Sequence, residues 1–223
     1  MVKSTSFPPA CSRRVSFAVI PQQATRSVNV DLWQTVDTYL RSNDVDGAAT
    51  DLESRLRATA TDRFISLTDS HFTNAPRDVL THINQFIDAC QRQFDVRAVY
   101  LEMNGFDINY DRWYFDSFAY TEYSDDPEDM DWLCDWTSPD WEQFTLHGLE
   151  QTQDNFRWYM ENKIYDRKTH DAEKEIATLL VMVRFVQLVR SSLDAGTLSC
   201  AIPLLATAHD FDMFGRFMPQ NVG

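Results

Sequence analysis

Glycine is scarce in this chain, which has only six glycines among 223 residues. Phosphate-binding loops and nucleophile elbows need glycine where the backbone approaches a ligand closely. The sequence contains no Walker loop, no GxGxxG and no GxSxG pattern. These absences argue against a nucleotide-dependent enzyme.

Cysteine is also sparse, and its four positions show neither a CxxC pair nor the spacing of metal ligands. Densely spaced cysteines would indicate a disulfide framework or a zinc site, and neither pattern is present. The sequence therefore predicts isolated, reduced thiols in a cytosolic protein. The four cysteines are Cys11, Cys90, Cys134 and Cys200.

Long apolar runs are missing as well. The longest, 179–189, is interrupted by Arg184 and Gln187. It falls short of the roughly 18 apolar residues that a membrane span needs. Prolines near the N-terminus interrupt the apolar core that a secretory signal would require. We therefore expect a cytoplasmic protein that makes no membrane contact.

Basic residues are outnumbered, with 20 lysines and arginines against 34 acids and a formal net charge of −14. The segment 104–142 contributes −11 of this charge, because it holds twelve acids and a single cation, Arg112. Five of the six tryptophans lie between Trp113 and Trp158, in or just after that segment. A surface that is both anionic and aromatic repels nucleic acid and lipid headgroups but can hold a basic partner.

The spacing of apolar residues predicts an α+β fold, in which a small, mainly antiparallel sheet packs against several helices. Residues 1–27 are rich in serine, threonine and proline, and we expect a flexible arm there with a short strand at 15–20. Residues 28–223 are expected to form a single α+β domain.

Helices are predicted in both halves of this domain. Asp31 is expected to cap a first helix, a second follows it, and Pro76 begins a third that carries a clear apolar stripe. A fourth helix is expected within 139–163. A long, largely buried helix is expected near 170–193, where apolar residues cover more than half of the circumference.

Strands are predicted between these helices. Alternating apolar residues indicate a strand at 96–103, and Asn-Gly at 104–105 is a hairpin signal. The return strand is expected at 106–110, although the turn can equally lie at 109–111. The aromatic stretch 113–123 is predicted to be a further strand.

The last predicted strand, 198–208, ends abruptly in polar residues. His209 and Asp210 follow it directly, and a histidine beside an acid at a strand end suits acid–base catalysis. Asp107 or Asp116 would supply a further carboxylate. A surface or helix-capping histidine is the alternative reading of His209.

The acidic stretch 125–135 reads DDPEDMDWLCD and lacks the ligand spacing and the glycine of a calcium loop. We interpret it as a solvated loop, and no metal ion or other cofactor is expected. Its carboxylates, together with two tryptophans expected to lie outside the core, form the predicted protein-binding surface. The predicted binding residues are Asp125, Asp126, Glu128, Asp129, Asp131, Trp132, Asp135 and Trp136.

The run Trp136-Thr137-Ser138-Pro139-Asp140-Trp141 resembles a motif in a bacterial family of uncharacterised immunity-type domains near the Smi1/Knr4-like (SUKH) group. In that family an α+β domain places such a motif just after a pair of strands, and a late strand ends in a small-residue and acidic run. Here 96–123 and 206–212 match these parts, and the resemblance spans roughly 80–212. It implies a small cytoplasmic protein that neutralises a toxin, commonly a nuclease, and it assigns no catalytic residue.

The sequence is compatible with three functions. The expected one is a non-catalytic protein-binding domain, such as an immunity protein or antitoxin, whose acidic aromatic surface holds a basic partner such as a toxin. Direct nucleic-acid binding is not expected. The alternatives are a hydrolase-like enzyme that uses His209 and Asp210, and a structural subunit that oligomerises through the helix at 170–193.

Overall fold

The structure is a computed structural model that describes residues 26–59, 63–126, 129–166 and 170–219. Within these ranges the chain forms five α-helices and a five-stranded mixed sheet, which confirms the predicted α+β class. Positions 1–25 of the expected arm, with the strand expected at 15–20, lie outside the described residues. Positions 26 and 27, which were also assigned to the arm, belong to the first helix.

Three helices precede the sheet: α1 (Arg26–Arg41), α2 (Val45–Thr59) and α3 (Pro76–Gln91). Each buries an apolar stripe at helical spacing, as the sequence predicted. Pro76 begins α3 as expected, because its missing amide hydrogen is not needed in the first turn. Asp31 lies inside α1, so the prediction that it caps this helix is wrong.

The sheet consists of β1 (Ala98–Met103), β2 (Tyr114–Tyr120), β3 (Phe144–Thr145), β4 (Leu204–Ala208) and β5 (Gly215–Phe217). Its strand order is β3-β2-β1-β4-β5, so the earliest and a late strand lie side by side. The β1–β4 pair is parallel and the other three pairs are antiparallel. The sheet is therefore mainly antiparallel, with one parallel pair near its centre.

The connection between β1 and β2 contains turns, and no strand is found at 106–110, so that part of the prediction is wrong. Phe106 is instead a buried anchor of this loop. Its ring packs 5.4 Å from the ring of Trp113, whose indole N–H donates to the Phe106 carbonyl at 3.0 Å. Apolar residues here hold a loop against the core. Their alternation with polar residues along the chain looks the same as that of a strand.

The helix expected at 139–163 begins only at α4 (Glu150–Glu161). Ser138, directly before the expected start, accepts the backbone N–H of Ala119 in β2 with its Oγ at 3.1 Å, so this segment is bound to the sheet. Gly148 has φ +107°. A residue in that region of backbone space does not continue a right-handed helix. The first half of the predicted helix is therefore wrong.

The long helix α5 (Asp171–Asp194) confirms the one predicted near 170–193. By length and composition it is apolar enough to cross a membrane, but 78% of its apolar window is buried inside the fold. It packs against α2, α3 and β4. A compact fold with one buried apolar helix is consistent with a soluble protein. The chain itself covers the surface expected to mediate oligomerisation.

The two faces of the sheet are covered differently. Val99 and Leu101 belong to the main core beneath the helices, whereas Tyr100, Phe118 and Tyr120 face the other way and belong to a smaller aromatic cluster. The chain that follows β2 contributes Trp132 to this second cluster. A segment with a short 3₁₀ turn therefore covers this face, whereas the α-helices of the described residues pack on the main core.

One cysteine departs from the expected reduced state. Cys134, in the loop after β2, is disulfide-bonded. Cys90 and Cys200 are free, as predicted. Spacing along the chain does not reveal which cysteines the fold brings together, which is why the prediction fails at Cys134.

Candidate functional site

A pocket of about 370 Å³ lies at the carboxyl ends of the parallel strands β1 and β4, within the roughly 300–1,000 Å³ typical of small-molecule sites. Parallel strands deliver the residues that follow them to the same edge of a sheet, where ligands commonly bind. Gly105 and Asp107 come from the loop after β1, and His209 and Asp210 come directly after β4.

The catalytic candidate in this pocket is a histidine backed by a buried carboxylate. His209 Nδ1 lies 2.8 Å from Oε1 of Glu102, a β1 residue that is only 5% exposed. A carboxylate only accepts, so we assign the Nδ1 hydrogen to this contact. The other ring nitrogen, Nε2, is 3.6 Å from Asp210 Oδ1, beyond ordinary hydrogen-bond distance. Nε2 is thus the nitrogen left for a ligand.

Electrostatics favour the protonated form of His209. Its hydrogen bond to Glu102 raises the pKa of the imidazole above its ordinary value, and the nearby charges of Asp210 and Asp107 act in the same direction. Partial burial opposes this effect because it disfavours the cation. The carboxylate therefore both orients the ring and stabilises the imidazolium that a general base would form.

The backbone holds this histidine in place. The His209 amide donates to the carbonyl of Met103 at 2.8 Å, which extends the β1–β4 ladder by one residue. The chain then turns sharply at Asp210, whose φ of +68° is in the left-handed region that few residues other than glycine adopt. Such conformations cluster at functional sites.

Polar contacts organise the opposite wall of the pocket. Lys174 of α5 donates to Asp107 at 2.7 Å, which ties the loop after β1 to the helix. Tyr159 of α4 donates its hydroxyl to Asp171, also at 2.7 Å. Burial of the phenol and its bond to the carboxylate together raise the pKa of Tyr159, so it remains a neutral donor.

An aromatic pair forms the third side. Trp33 of α1 stacks on Phe211 with ring centroids 5.1 Å apart, and its indole N–H donates to Glu175 at 2.9 Å. All three residues line the cavity. The pocket therefore combines flat apolar surface with carboxylates and one ammonium group.

Of the two carboxylates predicted to accompany His209, only Asp107 lines the pocket. Asp116 lies opposite Glu102 across the β1–β2 pair, behind the histidine. Burial raises the pKa of Asp116, and the charge of Glu102 raises it further, while Gln143 and Arg112 oppose the shift. Asp116 can therefore influence Glu102, but it does not form a wall of the cavity.

The predicted binding tryptophans do not lie outside the core. Trp132 is only 9% exposed and packs edge-to-face on Tyr120 at 4.9 Å. Trp136 is half-buried and packs edge-to-face on Phe118 at 5.9 Å. The expectation that they are external is wrong for Trp132, whereas Trp136 keeps part of its ring in solvent; both rings pack on the aromatic face of the sheet.

The carboxylates of the same loop do reach solvent. None of them lines the pocket, and Glu128 lies outside the described residues. No group of three or more His, Cys, Asp or Glu in the described ranges is arranged to hold a metal ion. The exposed acids among the predicted binding residues are Asp125, Asp126, Asp129, Asp131 and Asp135.

Sequence reasoning found His209, Asp210 and Asp107 but missed Glu102, Lys174 and Tyr159. A signal existed for Glu102, since it is the only charge in the otherwise apolar strand AVYLEM. No local signal marks the other two, because a lysine or tyrosine on a helix has many ordinary surface roles.

Comparison of the chain with protein-family models, curated proteins and solved structures finds no match. Any function must therefore be argued from the geometry of this chain.

Proposed function

We propose that the protein is a hydrolase-like enzyme in which His209 moves protons at Nε2. The observation that carries this proposal is the Glu102–His209 contact of 2.8 Å, with the histidine lining a cavity that also contains Asp107 and Asp210. A histidine oriented through Nδ1 by a buried carboxylate, with Nε2 left for the substrate, is the arrangement by which histidine acts as a general base in catalytic triads.

The chemistry follows from these positions. Neutral His209 accepts a proton at Nε2 from a water molecule, whose oxygen then attacks the electrophilic centre of the substrate. Glu102 stabilises the resulting imidazolium, which returns its proton to the leaving group. Lys174 is bound to Asp107 at 2.7 Å and holds that carboxylate in place in the pocket. Positioned proton transfer of this kind contributes roughly 10²–10⁴-fold to a rate.

A panel of chromogenic esters, phosphates and glycosides tests the proposal. We expect wild-type protein to hydrolyse one class, with a rate that rises with pH as His209 loses its proton, and His209→Gln to lose this activity. His147→Gln is the matched control, because its side chain is 62% exposed and lies outside the pocket. Equal rates for wild type and His209→Gln on every class would refute the assignment.

A second candidate function is binding of a basic protein by the acidic loop. The observation in its favour is that this loop is held on the sheet, with Tyr120 donating its hydroxyl to the Leu133 carbonyl at 3.2 Å and Trp132 donating to the Asp129 carbonyl at 3.0 Å. Fixed carboxylates steer a cationic partner by long-range attraction. The immunity or antitoxin role, implied by the family resemblance, remains a prediction within this candidate.

Reversal of three exposed acids tests this second candidate. The variant Asp125→Lys/Asp129→Lys/Asp135→Lys should lose binding to a basic protein encoded by a neighbouring gene while keeping its fold. Association should also slow steeply between roughly 50 and 300 mM salt, because exposed charges are screened. Binding that is insensitive to both changes would contradict the proposal.

Cytoplasmic location and oligomerisation remain predictions as well. The disulfide at Cys134 is the observation that favours an oxidising compartment instead, since cytosolic thiols are kept reduced. Any oligomer needs surface other than the buried stripe of α5, and sedimentation of the purified protein tests for it.

A further inference from the structure

The loop after β1 passes close to the reactive edge of the histidine. Gly105 and His209 both line the pocket, and a Cβ built on Gly105 would lie 3.6 Å from Cδ2 of the imidazole. Cδ2 is bonded to Nε2, the nitrogen left for a ligand, whereas Nδ1 on the other edge of the ring is 2.8 Å from Glu102. A side chain at position 105 would therefore lie beside the edge of the ring that carries Nε2.

The backbone does not require glycine at this position. The φ of Gly105 is not positive, and the three atoms nearest to the added Cβ would lie 3.4–3.9 Å away, at ordinary van der Waals distance. Two of these atoms belong to His209 and Ile108, whose side chains both line the pocket. The added carbon would therefore take up space at the wall of the cavity rather than disturb the packed core.

We propose that Gly105 is a specificity-determining residue: its missing side chain leaves open the space beside Nε2 of His209, through which a compact reacting group reaches this nitrogen. The inference rests on the proposed function, because it concerns access to the same histidine. The substrates favoured are those whose reacting carbon or phosphorus carries small substituents. The cavity of about 370 Å³ lies near the lower end of the range for ligand sites, so bulk added beside Nε2 restricts what can bind there.

Chemical labelling measures access to Nε2 without any substrate. Diethyl pyrocarbonate acylates neutral histidine, and in His209 it reacts at Nε2 because Nδ1 carries the hydrogen bonded to Glu102. We expect Gly105→Ala to slow the labelling of His209 by at least ~3-fold, and Gly105→Val to slow it further. Rates are compared at alkaline pH, where His209 is fully neutral, so that a change in its pKa does not contribute. Unchanged labelling in both variants overturns the proposal.

Two controls keep this result specific. Peptide mass spectrometry follows His147 in the same sample, and its labelling should stay constant because its side chain is 62% exposed and lies outside the pocket. The urea midpoint of Gly105→Ala should stay close to that of wild type, since the new contacts are ordinary. A large drop in that midpoint would mean that the fold itself requires glycine, and would overturn the proposal.

Ile108→Ala is the matched variant, because it removes bulk from the same loop instead of adding it. The Ile108 side chain also lines the pocket and is 59% exposed. We expect His209 in Ile108→Ala to be labelled at least as fast as in wild type, in contrast to Gly105→Ala. Slower labelling in both variants would mean that any change in the loop disturbs His209, and would overturn the assignment to position 105.

The two proposals fail separately. Slower labelling of His209 in Gly105→Ala, in a protein that hydrolyses no substrate class, would sustain the role of Gly105 in access and refute the enzyme. If wild type hydrolyses one class through His209, Gly105→Ala should increase the preference in kcat/KM for the smaller reacting group by at least ~3-fold. An unchanged preference would sustain the enzyme and refute the specificity role.

Discussion

Replacing Glu102 with glutamine changes the charge behind His209 and almost nothing else. The amide has nearly the same shape as the carboxylate and retains an oxygen that accepts the Nδ1 hydrogen. It loses the negative charge that lies 2.8 Å from the ring. We therefore expect the variant to fold, with the pKa of His209 lowered relative to wild type.

The size of the effect on stability follows from the exposure of the two partners. A hydrogen bond to a charged group is worth about 1.5–3 kcal/mol when buried. Here Glu102 is buried but the His209 side chain is 36% exposed, and solvent screening reduces the gain to about 1 kcal/mol.

The sign of the pH dependence is also defined. Because the folded-state pKa of His209 is raised, its stabilisation is fully present below its ordinary value of 6.5 and is lost as pH rises through the raised pKa. The free energy of unfolding of Glu102→Gln should therefore fall further below wild type at about pH 6 than at about pH 9.

Urea unfolding, followed by tryptophan fluorescence, measures the difference in unfolding free energy between wild type and variant at each pH. Subtracting the difference at one pH from that at the other cancels packing effects that do not depend on pH. Glu150→Gln is the control, since Glu150 forms an exposed pair with His147 at 3.9 Å that should contribute little. A loss of unfolding free energy in Glu102→Gln that is independent of pH, or larger at alkaline pH, would refute the proposed ion pair.

Four further predictions concern other parts of the fold. Gly148→Ala should destabilise by about 2–4 kcal/mol in urea unfolding, because φ is +107° and the new Cβ would lie 2.5 Å from a carbonyl oxygen. Gly105→Ala, whose nearest atom is 3.4 Å away, should stay within about 1 kcal/mol of wild type in the same assay. Glu53→Ala should cost about 2–3 kcal/mol by thermal or urea unfolding, because it leaves the buried guanidinium of Arg184 without its carboxylate at 2.7 Å. Cys134 should resist alkylation until a reductant is added, as mass spectrometry of the native protein would show.

The periodicity of apolar residues was enough to predict the helices that bury a continuous apolar face. The apolar spacing of α3 and α5 indicates the faces that are buried in the structure. The same reasoning failed at 139–148, where Ser138 binds β2 and Gly148 takes a positive φ. Aromatic residues occur in that segment at spacings that suit a helix, but contacts with a strand distant in sequence determine its path.

The candidate site was predicted in part. His209 and Asp210 were identified because a polar pair ends an apolar strand, and Asp107 was one of two carboxylates expected to accompany them. Glu102 carried a weak signal as a lone charge in a strand. Its partner could not be inferred, since nothing local indicates that β4 pairs with β1 rather than with another strand.

Composition and short-range periodicity were sufficient to predict the α+β class, the buried helix α5 and the concentration of acids in 104–142. The parallel pairing of β1 with β4 depends on contacts between distant segments, and it brings His209 to Glu102 across 107 residues. The tertiary structure also turned Trp132 inward while the neighbouring carboxylates stayed in solvent. Apolar rings pack on the face of the sheet that the α-helices leave uncovered. That face forms only when strands distant in sequence have paired.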